Sequence, residues 1–382
     1  MTAYRQAVQT TMVFADLHIH IGSTQTGRPV KISASRQMTI KSILHEASHR
    51  KGLGMIGVID CHVPEVIKEL KELIASGEAE ELSGGGLKYH STTLILGTEM
   101  EILDDTCQGP IHVLCYFPNL KTMERFSAWM ARYQRNINLS SQRSYVKAKQ
   151  LQREVKALDG LFVPAHIFTP YKSVYGKGVK HCMSEVFDLD KVDAVELGLS
   201  SDTKMAIQLP ELNRFTFLTN SDAHSLTKIG REYQRLNISH CDFKHLQEGL
   251  HNHTAVSVNY GLDPKLGKYH AEVSARIKQL ATHQSQLLKD RPPLAPEREK
   301  ISVERPPYVH QVPLEFIPGI GAKRIDMLIE AFGSEMNVVH NATKEELEAF
   351  IPEEAAAMIV KARANKLNFI AGGSGRYGKV SY

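Results

Sequence analysis

From Met12 to about Tyr260, apolar β-rich runs alternate with stretches of helical periodicity. Several of the runs lack regular polar alternation, which is typical of strands buried on both faces, as in parallel sheets. Repeated strand–helix–strand units predict an α/β sheet or a closed barrel. The predicted strands are Met12–His20, Gly54–Asp60, Thr92–Ile102, Ile111–Phe117, Gly160–His166, Ala194–Leu199, Phe215–Asn220 and Ala255–Asn259.

Beyond Tyr260 the pattern changes to helices and connecting segments. Glu272–Leu288 predicts a helix, and the proline- and charge-rich stretch Asp290–Pro313 predicts a surface linker. Further on, Glu345–Lys366 predicts two helices around Pro352. The predicted organisation is a catalytic domain (1–265), a helix and linker (266–313) and a C-terminal region (314–382).

Composition and charge narrow this picture only slightly. Apolar residues make up 42% of the 382 residues, enough for a buried core and more than one domain. The net charge of +4 neither indicates nor excludes nucleic acid. The five cysteines form no CxxC pair, which favours a reducing compartment and argues against a cysteine zinc finger. With no signal peptide and no apolar run long enough for a bilayer, we expect a cytoplasmic protein without a membrane partner.

Metal-competent side chains lie at or near the ends of most predicted strands. His18 and His20 are two residues apart on one strand, so both imidazoles face the same side and can bind one metal or an adjacent pair. Taken singly, each such residue has an ordinary structural explanation; at successive strand ends they predict a polynuclear metal centre. The others are Asp60, His62, Glu99, Glu101, His112, which opens its run rather than ending it, His166, Glu196, Asp222 and His224.

Five strings resemble the PHP (polymerase and histidinol phosphatase) superfamily: Asp16-Leu-His-Ile-His20, Gly97-Thr-Glu99, Ile111-His-Val-Leu114, Pro164-Ala-His166 and Ser221-Asp-Ala-His224. The resemblance implies a distorted (β/α)7-type barrel with two or three divalent metal ions. Ligation by oxygen and imidazole fits zinc, manganese or magnesium, including a mixture of these metals. The implied ligands are His18, His20, Asp60 or His62, Glu99, His112, His166, Asp222 and His224. The second motif reads Ile59-Asp-Cys-His62, which leaves both Asp60 and His62 as candidates. The superfamily's third N-terminal histidine has no counterpart between Ile21 and Lys41.

Longer strings resemble the endonuclease Q family over most of the chain: Thr169-Pro-Tyr-Lys-Ser-Val-Tyr-Gly176, Glu196-Leu-Gly-Leu-Ser-Ser-Asp202, Thr219-Asn-Ser-Asp-Ala-His-Ser225 and Lys228-Ile-Gly-Arg-Glu232. This resemblance implies a DNA-repair nuclease that uses metal-activated water. Its implied substrates are DNA strands cut 5′ to deaminated bases (uracil, hypoxanthine, xanthine) and abasic sites. The resemblance also implies a cysteine zinc module between the barrel and the helical region. This module is absent here, because Lys268-Tyr-His270 runs directly into Ala271-Glu-Val-Ser274 with no cysteine.

For this reaction, Asp222 is the first candidate for a residue whose loss abolishes cleavage. A carboxylate at that position can hold metal and orient the nucleophile. Glu196 is a second catalytic candidate, either supporting the ligands or acting on the base side. Lesion selection would follow from extrusion of the damaged base, since a deaminated or mispaired base costs less to unstack.

Two segments between predicted strands are candidates for DNA contact. In Arg132–Lys156, Arg143 and Lys147 have i,i+4 spacing, which can place them on one helix face as a phosphate track or as a solvated surface. The loop Thr169–His181 follows a ligand and should lie on the metal-bearing face. Its candidate residues are Lys172, Tyr175 and Lys177, with tyrosine able to stack on an extruded base.

The C-terminal region is predicted as a small all-helical domain with a helix-hairpin-helix motif, on the string Phe316-Ile-Pro-Gly-Ile-Gly-Ala-Lys-Arg324. The two glycines permit a tight turn and close approach of backbone N–H groups to a phosphate, without reading a base. The tail Gly372–Lys379 is basic, and its resemblance to the family's ending favours DNA contact over a disordered end. The candidate residues are Gly319, Gly321, Lys323, Arg324, Arg376 and Lys379.

Two alternative functions remain open. One is a PHP-type phosphoesterase acting on a small phosphorylated substrate, which would have no use for a duplex-binding hairpin. The other is a non-catalytic DNA-binding protein, which would not need a largely complete set of metal ligands. The sequence indicates no protein partner.

Overall fold

The computed structural model describes residues 11–289, 304–372 and 378–381. Its strands are β1 (Thr11–Ile19), β2 (Met55–Val58), β3 (Glu80–Glu81), β4 (Leu87–Tyr89), β5 (Thr92–Ile102), β6 (Ile111–Phe117), β7 (Arg143–Ser144), β8 (Leu161–Pro164), β9 (Ala194–Glu196), β10 (Thr216–Leu218), β11 (Tyr233–Ile238), β12 (Val256–Gly261), β13 (Tyr308–His310), β14 (Asn368–Ile370) and β15 (Lys379–Ser381). Its helices are α1 (Ile40–His45), α2 (Pro64–Ala75), α3 (Leu120–Met130), α4 (Ala148–Ala157), α5 (Thr203–Ala206), α6 (Phe243–His251), α7 (His270–Lys289), α8 (Ala322–Phe332), α9 (Glu335–His340), α10 (Lys344–Glu348) and α11 (Glu353–Arg363).

Strands β1, β2, β5, β6, β8, β9 and β10 follow one another around a ring. β2 pairs in parallel with β1 and β5, whereas β6 pairs antiparallel with β5 and β8. β9 continues beside β8, because the N–H of Asp193 donates to the carbonyl of Phe162 over 3.0 Å, and it pairs in parallel with β10. The ring returns to β1 where the N–H of Ala223 donates to the carbonyl of His18 over 3.1 Å. The α/β architecture is as expected, but β6 departs from the predicted parallel direction.

The sheet extends beyond this ring at β1. The first part of β1 pairs antiparallel with β11, β11 pairs antiparallel with β12, and β13 joins in parallel with β12. Residues 266–313 are therefore more than a helix and linker: α7 forms, but Tyr308–His310 is a strand of the main sheet. The predicted linker residues 290–303 lie outside the described residues.

Apolar side chains fill the interior of the ring, and polar ones replace them toward one end. On β5, Ile95 belongs to the same interior cluster as Leu114 of β6 and Leu218 of β10, and all three are fully buried. Leu94 and Leu96 face the opposite side, where the helices pack, because successive strand residues alternate faces. The interior row of β5 continues past Ile95 to Glu99, which is 1% exposed. The chain thus places acidic and imidazole groups at the end of an otherwise apolar core.

The C-terminal helices have their own apolar core and dock onto the ring. Leu328, Val338 and Leu347 belong to a separate buried cluster. This region was predicted as all-helical, but β14 and β15 pair antiparallel at its end, so that prediction is wrong in this detail. The predicted DNA-contact residue Lys379 is exposed at the start of β15, whereas Arg376 lies outside the described residues.

Across the described residues, no helix has both the length and the apolar composition needed to cross a membrane.

Candidate metal centre

Two groups of side chains converge at the polar end of the ring, and each offers three ligand atoms within 4.8 Å of one another. The first group is His18, His20 and Asp222, and the second is Glu99, His112 and His166. Glu99 lies between the groups: its Oε1 is 3.7 Å from Nε2 of His18 and 3.5 Å from Nε2 of His166. A carboxylate in this position is able to bridge two metal ions.

Strand direction explains why His112 comes from the beginning of its strand. In the antiparallel register of β5 and β6, Glu101 faces His112 and Glu99 faces Leu114. The beginning of an antiparallel strand lies at the same end of the ring as the ends of its neighbours. His112 therefore reaches the centre, with its Nδ1 2.7 Å from Oε1 of Glu99.

Hydrogen bonds behind the imidazoles orient them toward the centre. Nδ1 of His18 lies 3.0 and 3.1 Å from the two carboxylate oxygens of Glu196, and Nδ1 of His20 lies 3.0 Å from Oδ2 of Asp60. Such a carboxylate partner on one ring nitrogen leaves the other nitrogen free to ligate and makes it more basic. In both rings the free nitrogen is Nε2, which faces the converging carboxylates.

Buried polar atoms without a hydrogen-bond partner are concentrated at this centre. Among the described residues they include Nε2 of His18 and of His20, both ring nitrogens of His112, and Oδ1 of Asp222. Folded proteins rarely leave such atoms unsatisfied. Imidazole nitrogens and carboxylate oxygens are ligands for zinc and manganese, and carboxylates also suit magnesium. The residues present therefore fit the implied divalent metal ions.

The electrostatics of the centre also favour a bound cation. Burial lowers the pKa of His18, but Glu196 and Asp222 outweigh that effect and raise the pKa to about 10. Burial raises the pKa of Asp222 and Glu99, yet neighbouring imidazoles, of His18 and His112 respectively, hold both pKa values well below the usual range. Ionised carboxylates are thus stabilised here by positive charge, which divalent ions would supply more strongly.

The loop that carries Asp222 is held in place by hydrogen bonds with Asp16 and Arg231. Asp16 is fully buried and accepts the N–H groups of Ser221 over 3.1 Å and of Gly230 over 2.9 Å. Arg231 donates to the carbonyl of Ser221 over 2.8 Å. Asp222 itself has a φ of 47°, in the left-handed region that non-glycine residues seldom adopt and that is enriched at functional sites. Asp16 and Arg231 were not predicted as site residues.

Glu196 and Asp60 lie behind the ligands. Besides its histidine partner, Glu196 accepts the N–H of His166 and the side-chain amide of Asn220, each over 2.8 Å. Asp60 likewise accepts the N–H of Ile21 over 2.7 Å. These contacts place both carboxylates behind the ligands, which favours the supporting role among the two predicted for Glu196, and the ligation by Asp60 or His62 stays a prediction.

His62 and His224 also stand apart from the two groups. Nδ1 of His62 lies 2.8 Å from the hydroxyl of Thr98, and burial lowers the pKa of this imidazole to about 4. Nδ1 of His224 lies 3.0 Å from the carbonyl oxygen of Asp222, and its ring is 4.5 Å from that of His20. Both predicted ligands border the centre, but the structure does not bring them into either group.

Lys31 is a site residue that sequence reasoning missed. Its Nζ lies 3.0 Å from Oε2 of Glu99, and its side chain is only 13% exposed. The hydroxyl of Ser141 also contacts this carboxylate. The available signal was the position of Lys31, in the loop after His20 where the superfamily's third histidine has no counterpart.

Only the last part of the basic segment 132–156 is helical: α4 carries Lys149 and Arg153, the other i,i+4 pair of this segment. Arg143 lies in β7, which pairs with the end of β5, and Lys147 precedes α4. Both are exposed, and the guanidinium of Arg143 lies 5.3 Å from the ring centre of Tyr145, which is 53% exposed. Arg143 and Lys147 therefore do not share a helix face, and the prediction is wrong for this pair. Arg143 nevertheless lies on the surface beside the centre.

The loop after His166 presents a different tyrosine from the one predicted. Tyr175 is fully buried, and its hydroxyl donates to Glu211 over 2.8 Å, so it has no surface available for DNA. Tyr171 is instead 59% exposed, with Nζ of Lys177 5.3 Å from its ring centre. Lys172 is half-exposed on the same loop.

The predicted hairpin precedes α8. Gly319 has a φ of 86°, a conformation that favours glycine, and Gly321 caps the helix. Lys323 and Arg324 are exposed in the first turn of α8, and the Arg324 guanidinium donates to the carbonyl of Gly319.

Comparisons with known proteins identify relatives along almost the whole chain. An uncharacterised protein of Bacillus subtilis, YqxK, is 50% identical over 382 residues, covering 96% of this chain and 99% of the relative. The crystal structure of PfuEndoQ, a lesion-specific endonuclease from Pyrococcus furiosus, superimposes with a TM-score of 0.78 at 27% identity and covers 97% of this chain and 95% of its own. No protein-family model matches the chain.

A further endonuclease Q structure contains a 27-mer duplex substrate with an abasic lesion at the active site. It superimposes with a TM-score of 0.77 at 27% identity and covers 97% of this chain and 96% of its own. Both likenesses include the ring and the C-terminal region, because they extend over nearly all of the sequence. Together with the strings quoted above, they show that this chain belongs to the endonuclease Q family.

Proposed function

We propose that this protein is a metal-dependent DNA-repair endonuclease. Its proposed reaction is hydrolysis of the phosphodiester on the 5′ side of abasic sites and of the deaminated bases uracil, hypoxanthine and xanthine. The observation that carries this proposal is the pair of ligand groups joined by Glu99, in a chain that matches endonuclease Q over 97% of its length. The abasic duplex bound by a family member supports the abasic site as one substrate.

Asp222 is the ligand best placed to meet a substrate. Its side chain is 31% exposed, whereas those of His18 and Glu99 are 0% and 1% exposed. Divalent ions held by the two groups would supply Lewis acidity to the scissile phosphate and to the attacking water. Because its pKa is held well below the usual range, Asp222 stays ionised and its carboxylate can orient the nucleophile by accepting a hydrogen bond.

Exposed groups on two elements support binding of a damaged duplex. Tyr171 and Lys177 lie on the loop that follows His166, where an aromatic ring can stack on an extruded base and an ammonium can contact a phosphate. Lys323 and Arg324, at the start of α8, can hold the duplex backbone together with the N–H groups of the helix N-terminus. These contacts distinguish a duplex substrate from a small phosphorylated molecule.

Cleavage of labelled duplexes tests this function directly. Duplexes that carry an abasic site, uracil, hypoxanthine or no lesion are incubated with the full chain, with and without a chelator. We expect a nick on the 5′ side of each lesion, loss of activity with chelator, and recovery when zinc, manganese or magnesium is restored. Hydrolysis of phosphate monoesters without duplex cleavage would instead indicate a small-molecule phosphoesterase. Metal-independent binding without cleavage would indicate a non-catalytic DNA-binding protein.

A further inference from the structure

The two oxygens of Glu99 have different neighbours. Oε1 faces the imidazoles of His18, His112 and His166 at 3.7, 2.7 and 3.5 Å. Oε2 lies 3.0 Å from the ammonium of Lys31 and 3.5 Å from Nε2 of His20, and it also accepts from the hydroxyl of Ser141. A lysine on a partly buried side chain therefore lies at the edge of the centre.

The fold holds the Lys31 backbone in this place. The N–H of Lys31 donates to the carbonyl of Ile21 over 2.9 Å, immediately beyond the histidine-bearing strand β1. The loop packs closely, since a Cβ on Gly22 would lie 1.9 Å from the carbonyl oxygen of Ser35. The hydroxyl of Ser141 also accepts from the ammonium. The lysine is thus positioned by the same segment that positions two of the ligands.

The described residues offer no third group of ligands to match the two already found. His62 and His224 belong to neither group, and Asp60 accepts from the N–H of Ile21 and lies 3.0 Å from Nδ1 of His20. An ammonium has three N–H donors, and Glu99 and Ser141 take two of those of Lys31. One donor of the ammonium is therefore left without a partner among the described residues.

We propose that the ammonium of Lys31 takes the place of a third metal ion, so that the centre holds two divalent ions and one fixed organic cation. In the proposed nuclease reaction, which this part of the inference rests on, the remaining N–H of Lys31 binds a non-bridging oxygen of the scissile phosphate. A lysine there neutralises charge on Glu99 and on the phosphate without requiring a further ligand set.

Metal analysis of the full-length protein tests the inference without any activity assay. The protein is saturated with zinc or manganese, freed of unbound ions, and analysed by elemental mass spectrometry. We expect two ions per chain in the wild type, and three ions would overturn the proposal. Anomalous scattering should place both ions at the two ligand groups; a peak beside Oε2 of Glu99 with the lysine displaced would equally overturn it.

Substitution of Lys31 gives the second readout. Lys31→Met removes a unit positive charge that contacts Glu99. A unit charge roughly 6 Å from a divalent ion changes the binding constant of that ion by about tenfold even in water. We expect at least two ions, bound about tenfold or more tightly in competition with a chelator. Lys31→Arg should keep the wild-type count and affinity. Loss of metal from Lys31→Met, or an unchanged affinity, contradicts the inference. Lys41→Met is the control, because that lysine is 51% exposed and pairs with Glu78.

An activity assay separates this inference from the function on which it partly rests. On abasic duplex, Lys31→Met should lower kcat by about 100-fold with little change in KM, and Lys31→Arg should restore most of it. If the wild type cuts no DNA while the metal count and affinities behave as expected, the proposed function fails and the two-ion centre stands. If the wild type cuts DNA but holds three ions, the function stands and the role of Lys31 fails.

Discussion

Asp222 and Glu196 are carboxylates of the same centre, but their surroundings give them different tasks. Glu196 is 1% exposed, and its oxygens are taken by an imidazole, a backbone N–H and an amide. Asp222 is 31% exposed, and its Oδ1 lies 3.4 Å from Nε2 of His18 with no hydrogen-bond donor of its own. This difference in exposure supports Asp222 as the proposed reacting group and Glu196 as its proposed support.

Replacement of Asp222 by asparagine is expected to abolish turnover while leaving the fold intact. A neutral amide is a poor ligand and a weaker acceptor, so we expect cleavage of an abasic duplex to fall by about a thousandfold or more. Single-turnover cleavage measures this effect, and the matched control is Asp105→Asn, whose side chain is 72% exposed and pairs with Lys147. Wild-type rates in Asp222→Asn would remove this residue from the mechanism.

Glu232 is a buried acid outside the metal centre. Burial raises its pKa to about 8, and it is fully buried with Oε1 accepting the N–H of Leu262 over 2.8 Å. Between its ordinary pKa of 4.5 and about 8, the folded protein keeps a proton that the unfolded chain releases. The unfolded state is therefore favoured as pH rises, and the stability that the proton provides is lost across this window.

The variant Glu232→Gln should show a flatter dependence of stability on pH. Because glutamine does not titrate, the free energy of unfolding of the variant relative to wild type should rise by about 4 kcal/mol between pH 4.5 and pH 8. Denaturant unfolding at several pH values, at constant metal saturation, measures the difference. Glu272→Gln, an exposed position on α7, serves as control. Parallel profiles for Glu232→Gln and wild type would contradict the raised pKa.

At the scale of elements, the local hydrophobic pattern predicts whether a strand forms better than it predicts the direction of that strand in the sheet. The runs Thr92–Ile102 and Ile111–Phe117 coincide with β5 and β6, because long apolar β-branched stretches are informative by themselves. Their antiparallel pairing depends on how the chain turns between them, which the hydrophobic pattern does not encode. For the same reason β11 was missed: Tyr233–Ile238 mixes polar and apolar residues and becomes a strand by pairing with β1.

In the site too, features that depend on neighbouring residues are predicted from the sequence, whereas contacts between distant segments are not. The i,i+2 spacing of His18 and His20 predicts a shared face, and the structure places both in one ligand group. The contact of Lys31 with Glu99 spans 68 positions and depends on a loop conformation, so no local pattern identifies it. The sequence likewise places the loop that contains Tyr171 near the centre. It does not indicate which of the tyrosine rings of that loop faces solvent.

If the basic first turn of α8 binds DNA phosphates, as proposed, its contribution to DNA affinity should not depend on base sequence. In the double variant Lys323→Ala/Arg324→Ala, we expect affinity to fall by the same factor for damaged and undamaged duplex, because phosphate contacts carry no base information. The slope of log affinity against log salt should drop by about 1 to 2. Fluorescence anisotropy over a salt series measures both quantities, with the exposed Lys361→Ala on α11 as control. A loss confined to damaged duplex would contradict this role.

At the scale of the whole molecule, buried polar contacts join the C-terminal helices to the ring. Nζ of Lys51 lies 2.5 Å from Oε2 of Glu335, and these side chains are only 7% and 8% exposed. The hydroxyl of Tyr233 on β11 lies 2.7 Å from Nε2 of His340. Contacts of this kind fix the orientation of α9 relative to the ring that carries the metal centre.

Breaking the ion pair between Lys51 and Glu335 should weaken the packing of the C-terminal helices against the ring. Lys51→Met leaves the Glu335 carboxylate buried without its partner, and we expect a loss of about 3 kcal/mol in the free energy of unfolding. Denaturant unfolding measures the loss, and the double variant Lys51→Met/Glu335→Gln should recover much of it. Equal stability of Lys51→Met and wild type would mean that the pair does not contribute to docking.

The opposed direction of β6 has a consequence for how the protein matures. Glu99 and His112 sit on the two arms of a single hairpin, and a shift of pairing by one residue would turn one of them away from the other. Only the correctly registered hairpin can then capture an ion at this position. Under the proposed function, chains with mispaired strands would lack the group of Glu99, His112 and His166 and would bind no ion at this position.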